Sequence, residues 1–188
     1  MTNADGLIEV MSELLFGAED DLAFVVLDGA SVPGLLKMLA EHEPEFVCLY
    51  RGELAPDVAE VAPYLVHLEP ETEFTSWVIE EGWGKHWGIF AVTNSDLRTL
   101  RHHFRSFLTV YDTDGKPMLF RYYDPRVLRT YLPTCNTGEL ATIFGPVKGF
   151  LVESEDGKAV LRFQTAGDAL KHETLVLPGG ESGPGQKR

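Results

Sequence analysis

The chain has 188 residues, is 44% hydrophobic and carries a net charge of −13 at neutral pH. This length is enough for one sizeable core and short for two, so we expect a single domain, of one or two lobes, over residues 1–177. The acidic balance argues against a general nucleic-acid binder, and no apolar run has the length of a membrane span or the layout of a signal peptide.

The two cysteines give information about metal sites, disulfides and the cellular compartment. Cys48 and Cys135 lie far apart, with neither a CxxC motif nor a paired histidine spacing. This pattern indicates neither a disulfide framework nor a zinc site, so we expect no metal and no other cofactor. It suits a reducing compartment, and we expect the protein to be cytoplasmic.

Apolar spacing and turn residues predict the elements of the first half of the chain. In order, they are a helix at 5–16, a strand at 22–27, a helix at 31–42, strands at 46–50 and 62–68, and a helix at 74–81. The continuous apolar run at 22–27 favours a strand buried on both faces. The strand–helix–strand order over 22–50 predicts a parallel pair joined by a crossover helix.

A glycine and tryptophan cluster at 82–88 precedes a strand at 89–92. Trp83 and Trp87 could form an exposed aromatic binding loop. The commoner reason for such a cluster is core packing, in which glycine lets large rings approach the backbone.

A basic amphipathic helix follows, capped by Asn94 and Ser95. Its apolar face carries Leu97, Leu100, Phe104, Phe107 and Leu108, and a second face carries Arg98, Arg101, His102 and Arg105. Clustered like charges cost about a few tenths of a kcal/mol per pair. The helix therefore needs compensation, either from the acidic first half of the chain or from a partner, and both explanations remain open.

Residues 120–128 combine a strand end, a helix start and three charges. A predicted hairpin pairs 109–111 with 116–123, and Asp124 followed by Pro125 is a helix-start signature for a helix at 125–132. Arg121 and Arg126 flank the carboxylate and could form a hydrogen-bonded Arg–Asp–Arg cluster with it. The cluster could simply fix the corner, or it could leave a guanidinium free to bind a partner.

The rest of the chain completes a mixed α/β fold, in which helices flank a small mixed sheet. We predict a helix at 137–144, a hairpin of strands at 147–152 and 159–164, and a disordered tail at 178–188. Charge is distributed unevenly, because residues 1–81 carry a net −16 and residues 82–188 a net +3.

Motifs of catalysis are absent from the sequence, which contains no GxSxG, P-loop, GxGxxG or HExxH pattern. A spatially assembled site leaves no such trace. The alternative hypothesis is therefore a small hydrolase or transferase that uses His103 with Asp124 or Cys48.

Six short motifs, in this order, resemble the adaptor-chaperone domain of bacterial type VI secretion, the Tap or Tec family, which is also catalogued as a domain of unknown function. The resemblance covers about residues 22–150. The motifs are Leu27-Asp28-Gly29-Ala30, Ala62-Pro63-Tyr64-Leu65-Val66, Trp87-Gly88-Ile89-Phe90, Leu100-Arg101-His102-His103-Phe104-Arg105, Phe120-Arg121-Tyr122-Tyr123-Asp124-Pro125-Arg126 and Phe144-Gly145-Pro146-Val147.

This resemblance implies a non-enzymatic protein that binds a toxic effector and helps load it on the VgrG spike, often through a PAAR-containing partner. The family's characteristic positions fall on His103, Arg105, Arg121, Tyr123, Asp124 and Arg126. We add Arg98 and Arg101 of the basic helix as candidate partner-binding residues. Neither nucleic acid nor membrane is expected as a partner.

Overall fold

A seven-stranded sheet forms the centre of the computed structural model, which describes residues 3–179. Its strands are β1 (Leu22–Asp28), β2 (Phe46–Cys48), β3 (Pro63–Leu68), β4 (Gly88–Thr93), β7 (Val147–Glu153), β8 (Ala159–Ala166) and β9 (Ala169–Val176). Two further strands, β5 (Thr109–Tyr111) and β6 (Pro117–Leu119), form a separate two-stranded hairpin. The helices are α1 (Asn3–Phe16), α2 (Leu35–His42), α3 (Pro56–Val61), α4 (Glu73–Gly82), α5 (Leu97–Ser106), α6 (Pro125–Tyr131) and α7 (Thr137–Phe144). The predicted mixed α/β class, with helices flanking a sheet, is confirmed.

The order of the sheet is β2-β3-β1-β4-β7-β8-β9, and every pairing in it is antiparallel. The predicted parallel pair, and with it the mixed character of the sheet, is therefore wrong. β3 lies between β1 and β2 and pairs with both, with Val66 opposite Val25 and Leu65 opposite Val47. The six-residue, buried β3 suits a place between two strands, whereas the three-residue β2 with its exposed Phe46 suits an edge.

Side chains of β1 alternate between the two faces of the sheet and enter two different cores. Val25 and Leu27 pack with α1, α2 and α4 on one face. Phe24 and Val26 pack on the other face with α5, α6 and α7. The prediction of a strand buried on both faces is confirmed, and the second face supports the site described below.

Two local features differ from the predictions, the cap of α5 and the length of β6. α5 is capped by Asp96, whose carboxylate accepts from the Thr99 amide at 2.8 Å, and not by Asn94 or Ser95. The predicted strand at 116–123 shortens to β6, because a turn at Tyr122 and Tyr123 buries both rings, where an extended strand would point them to opposite faces.

The glycine and tryptophan cluster packs into the core. The Trp87 ring is buried, with its centroid 4.9 Å from that of Trp77. Trp83 is partly buried and donates its indole N–H to the Gly157 carbonyl at 2.8 Å. A Cβ on Gly82 would lie 2.9 Å from the Trp87 ring. The cluster is therefore core packing and not an exposed loop.

Two further predictions concern membrane spans and the C-terminal tail. Among residues 3–179, no helix combines the length and the apolar character needed to cross a bilayer. The predicted disordered tail, 178–188, lies outside the described residues except for its first two positions.

Candidate functional site

Arg121 ties the segment before α6 to the end of β1. Its guanidinium donates to Asp28, a carboxylate only 2% exposed that also accepts from the Ser31 hydroxyl at 2.8 Å and the Ala30 amide at 3.2 Å. Burial alone would lower the pKa of Arg121, but the charge and the hydrogen bond of Asp28 raise it above its ordinary value. The side chain of Arg121 is still 43% exposed, so part of the guanidinium faces solvent.

Asp124 caps α6 and binds Arg126. The buried carboxylate accepts from the Arg126 backbone amide at 2.9 Å, from its Nε at 3.0 Å and from its Nη2 at 2.7 Å. Burial would raise the pKa of Asp124, but these hydrogen bonds outweigh it and lower the pKa. The predicted cap and helix start are confirmed.

The predicted Arg–Asp–Arg cluster is only half right. Asp124 is bonded by Arg126, whereas Arg121 is bonded by Asp28, which lies 93 residues earlier in the chain. Sequence reasoning missed Asp28 because its position at the end of a buried strand is the only local signal. The corner is thus two arginine–carboxylate pairs.

Tyr123, between these pairs, is a core residue. Its ring is 1% exposed, and the Arg121 guanidinium carbon lies 6.0 Å from the ring centroid. Burial raises the pKa of Tyr123 far above its ordinary value, and the neighbouring Tyr50 and Asp28 add to the shift. Tyr123 therefore stays protonated and supports the corner from within.

Two candidate residues of α5 also make internal contacts. His103 donates from Nε2 to the Ile143 carbonyl at 2.9 Å, and burial lowers its pKa. A Cβ on Gly145, whose φ is +45°, would lie 2.4 Å from the imidazole, so the chain passes this ring closely. The His103 contact joins α5 to the last turn of α7.

Arg105 makes the other contact, at the end of β2. Its guanidinium donates to three successive carbonyls, those of Cys48 at 2.8 Å, Leu49 at 3.0 Å and Tyr50 at 2.7 Å. Among residues 3–179, no carboxylate accepts from it. Arg105 therefore holds the segment after β2 against α5.

Arg98 and Arg101 behave differently from the rest of the candidate set. Both side chains are exposed, and within residues 3–179 neither forms an ion pair. The pKa of Arg105 is lowered first by burial and then by the charges of Arg101 and Arg51. The described part of the acidic half of the chain thus does not neutralise this face through ion pairs.

These arginines line an open groove on the surface, which we call the α5 groove. Its basic end has a volume of about 950 Å³ and includes Arg51, Arg98, Arg101, His102 and Arg105. Its apolar end has a volume of about 650 Å³ and includes Leu54, Leu108, Tyr111 and Leu119. Arg51 and Arg105 line both ends, so the two ends are continuous.

The residues of the catalytic alternative have separate partners. His103 bonds a carbonyl of α7, and Asp124 bonds Arg126. Burial raises the pKa of the Cys48 thiol, which disfavours the thiolate that a nucleophile requires. In the part of the chain that the structure describes, no three His, Cys, Asp or Glu side chains are grouped to hold a metal ion.

Fold and site together define a mixed α/β protein in which partly buried arginine–carboxylate and arginine–carbonyl contacts support an open basic and apolar groove. Residues 23–142 match the family described as Domain of unknown function (DUF4123), and the chain belongs to that family. The match runs from β1 into α7 and so includes the corner, α5 and the hairpin of β5 and β6. Neither the curated proteins nor the solved structures gave a match.

Proposed function

We propose that the chain is a cytoplasmic adaptor and chaperone that binds a cognate toxic effector of a type VI secretion system. It promotes loading of that effector onto the VgrG or PAAR spike component and acts by binding, without catalysis. Family membership supports the proposal, because the matched residues 23–142 belong to a family of unknown function and contain five of the six motifs on which the resemblance rests.

The observation that carries the proposal is the unneutralised basic face of α5. Like charges on one helix face repel, and a protein keeps such a face at a cost unless a ligand offsets it. Arg98 and Arg101 are exposed on an open groove and form no ion pair within residues 3–179, although Asp96 lies in the same groove. A polypeptide partner that brings carboxylates would offset the repulsion.

The internal contacts of the other candidate residues support the same function. Arg105 and His103 fix α5 to β2 and α7, and the corner fixes the segment that follows the hairpin of β5 and β6. A rigid groove loses less conformational entropy on binding than a mobile one. The motif residues then act as positioning residues for a surface formed by their neighbours.

Co-expression with a candidate toxic effector, chosen from the genes beside this one, tests the proposal. We expect the two proteins to purify together, and we expect deletion of this gene to abolish secretion of that effector while other effectors are still secreted. The adaptor itself should stay in the producing cell. Normal secretion of a soluble effector from the deletion strain would contradict the proposal.

Whether this protein is found in the cells or in the culture medium distinguishes an adaptor from a structural subunit of the spike. A spike subunit leaves the cell with VgrG and is required for every effector that the spike carries. Recovery of this protein in the culture medium together with VgrG, in amounts similar to VgrG, would therefore overturn the adaptor function.

A further inference from the structure

The α5 groove indicates the chemistry of the segment that it binds. Resting on the proposed function, we propose that the groove takes an acidic amphipathic segment of the effector. Its carboxylates contact the basic end, and its apolar side chains contact the apolar end beside the hairpin of β5 and β6. The juxtaposition of the two ends on one continuous surface carries this inference.

Charge complementarity is the first step. Residues 1–81 hold only two basic residues, and one of them, Arg51, lies in the basic end with the arginines of α5. Arg51 therefore brings a further positive charge, from the acidic part of the chain, to a face that is already basic. The one carboxylate in this end, Asp96, accepts from the Thr99 amide as the cap of α5. The ligand is therefore anionic.

The hairpin supplies the second step. Tyr111 is 69% exposed and Leu119 is 49% exposed, although both are large and apolar. In the register of the hairpin Tyr111 lies opposite Pro117 and Leu119 lies opposite Thr109, so both side chains project from the same face. That face lines the apolar end together with Leu54. Exposed aromatic and aliphatic groups around a concave surface are typical of protein–protein contacts.

The two steps together favour a polypeptide over a polyanion. Nucleic acid would use the arginines but not Tyr111 and Leu119, and the net charge of −13 would repel its phosphates. A segment with carboxylates beside apolar side chains uses both ends at once. Because Arg51 and Arg105 line both ends of the groove, one continuous segment of the partner can contact both ends.

Fluorescence anisotropy with synthetic peptides tests the assignment on the full chain. The probe is a labelled peptide of about twelve residues in which Glu and Leu alternate, compared with a Lys–Leu and a Glu–Ser peptide of the same length. We expect the wild type to bind the Glu–Leu peptide at least about tenfold more tightly than either of the others. Equal binding of all three would overturn the proposal.

Paired variants then locate the binding. Arg98→Glu with Arg101→Glu should weaken Glu–Leu binding by about tenfold or more and create binding of the Lys–Leu peptide. Tyr111→Ser with Leu119→Ser should weaken Glu–Leu binding by about tenfold and leave the weak Glu–Ser binding unchanged. Lys171→Glu on β9 makes the charge change of one of the two arginine substitutions at an exposed position outside the groove and should alter binding less than about twofold.

Folding and competing ligands are controlled in the same experiment. Circular dichroism verifies each variant, and Arg101→Gln replaces any charge-reversal variant that does not fold, with an expected loss of at least about threefold. A single-stranded DNA oligonucleotide, or vesicles of phosphatidylserine and phosphatidylcholine, should not displace the peptide at physiological salt. Displacement by either at lower concentration than unlabelled Glu–Leu peptide would overturn the proposal.

Failure of this inference is distinguishable from failure of the proposed function. If the wild type binds the co-encoded effector and the groove variants bind it equally well, the groove assignment is wrong and the adaptor function stands. If the wild type does not bind that effector at all, the proposed function is wrong, whatever the peptides show.

Discussion

The arginines between Arg98 and Arg126 fall into two groups that the protein uses in opposite ways. Arg105, Arg121 and Arg126 bind groups of the protein itself: three carbonyls, Asp28 and Asp124. Arg98 and Arg101 line the α5 groove and form no ion pair among the described residues. Arg101 and Arg105 lie only one turn apart on the same helix, so their different roles arise from the groups that surround each side chain.

The two groups have different roles, support of the fold and binding of a partner, which the sequence motif alone does not distinguish. The motif positions His103, Arg105, Arg121, Tyr123, Asp124 and Arg126 have internal partners or are buried. The surface that we propose for the effector is formed by residues around them. Changes at internal positions should therefore act mainly on stability, and changes on the outer face of α5 should act mainly on binding.

The largest expected effect is that of Asp28→Ala. The substitution removes a buried acceptor of three hydrogen bonds, including one from Arg121, and should lower the free energy of unfolding by about 3 kcal/mol. Urea unfolding followed by circular dichroism measures it. Ser31→Ala, which removes one of the three donors and leaves the ion pair, should cost about 1 kcal/mol. A loss under about 1 kcal/mol for Asp28→Ala would show that the pair does not hold the corner.

Arg105→Ala should come next, with a loss of about 2 kcal/mol. Three carbonyls at the end of β2 lose a charged donor, although they can still reach water in part. Arg105→Lys should recover less than half of the loss, because an ammonium group cannot span three carbonyls as a planar guanidinium does. Denaturant midpoints of the two variants check this. If the variants equal the wild type in stability and lose effector binding, Arg105 belongs with the binding group.

Asp124→Ala should cost about 1–2 kcal/mol at pH 7 through loss of the α6 cap and the Arg126 contacts. The pKa of Asp124 is lowered in the fold, so its contribution is complete above the unfolded value of about 3.9 and is lost as pH falls through the folded value. The difference in stability between wild type and variant should therefore shrink from pH 7 to pH 3. Thermal melts at several pH values measure it, and a difference that grows on acidification would contradict the assignment.

Much of the fold could be predicted because local patterns and tertiary packing agree there. The apolar run of β1, the Asp–Pro start of α6 and the helix at Thr137–Phe144 each combine a strong periodicity or cap with a buried face. The sheet order could not be predicted in this way. The choice of β3 over β2 as the neighbour of β1 depends on long-range burial, which a strand–helix–strand pattern does not contain.

The elements that were missed have little apolar pattern of their own. α3 contains no buried residue, and most side chains of β9 are exposed, so neither shows a helix or strand periodicity. At the site, the basic face of α5 was predictable from spacing. The pairing of Arg121 with Asp28 was not, and neither was the part played by Arg51, Tyr111 and Leu119, because these residues meet only through the fold.

The smallest expected change in stability is that of Arg101→Glu, and it is the sharpest test of the contrast. The side chain is exposed and forms no ion pair within residues 3–179, so no stabilising contact is lost. The charge of Arg101 also lowers the pKa of Arg105 after the larger effect of burial, so its removal relieves repulsion. The free energy of unfolding should change by less than about 0.5 kcal/mol.

Differential scanning calorimetry of Arg101→Glu beside Arg105→Ala makes the comparison within one helix. We expect Arg101→Glu to keep the melting temperature and to lose effector binding, and Arg105→Ala to lower the melting temperature. That result would show that adjacent turns of α5 serve binding and scaffold separately. A large fall in melting temperature for Arg101→Glu would mean that its charge is compensated inside the protein. The basic face would then be part of the scaffold, and the reason to place a partner in the α5 groove would be lost.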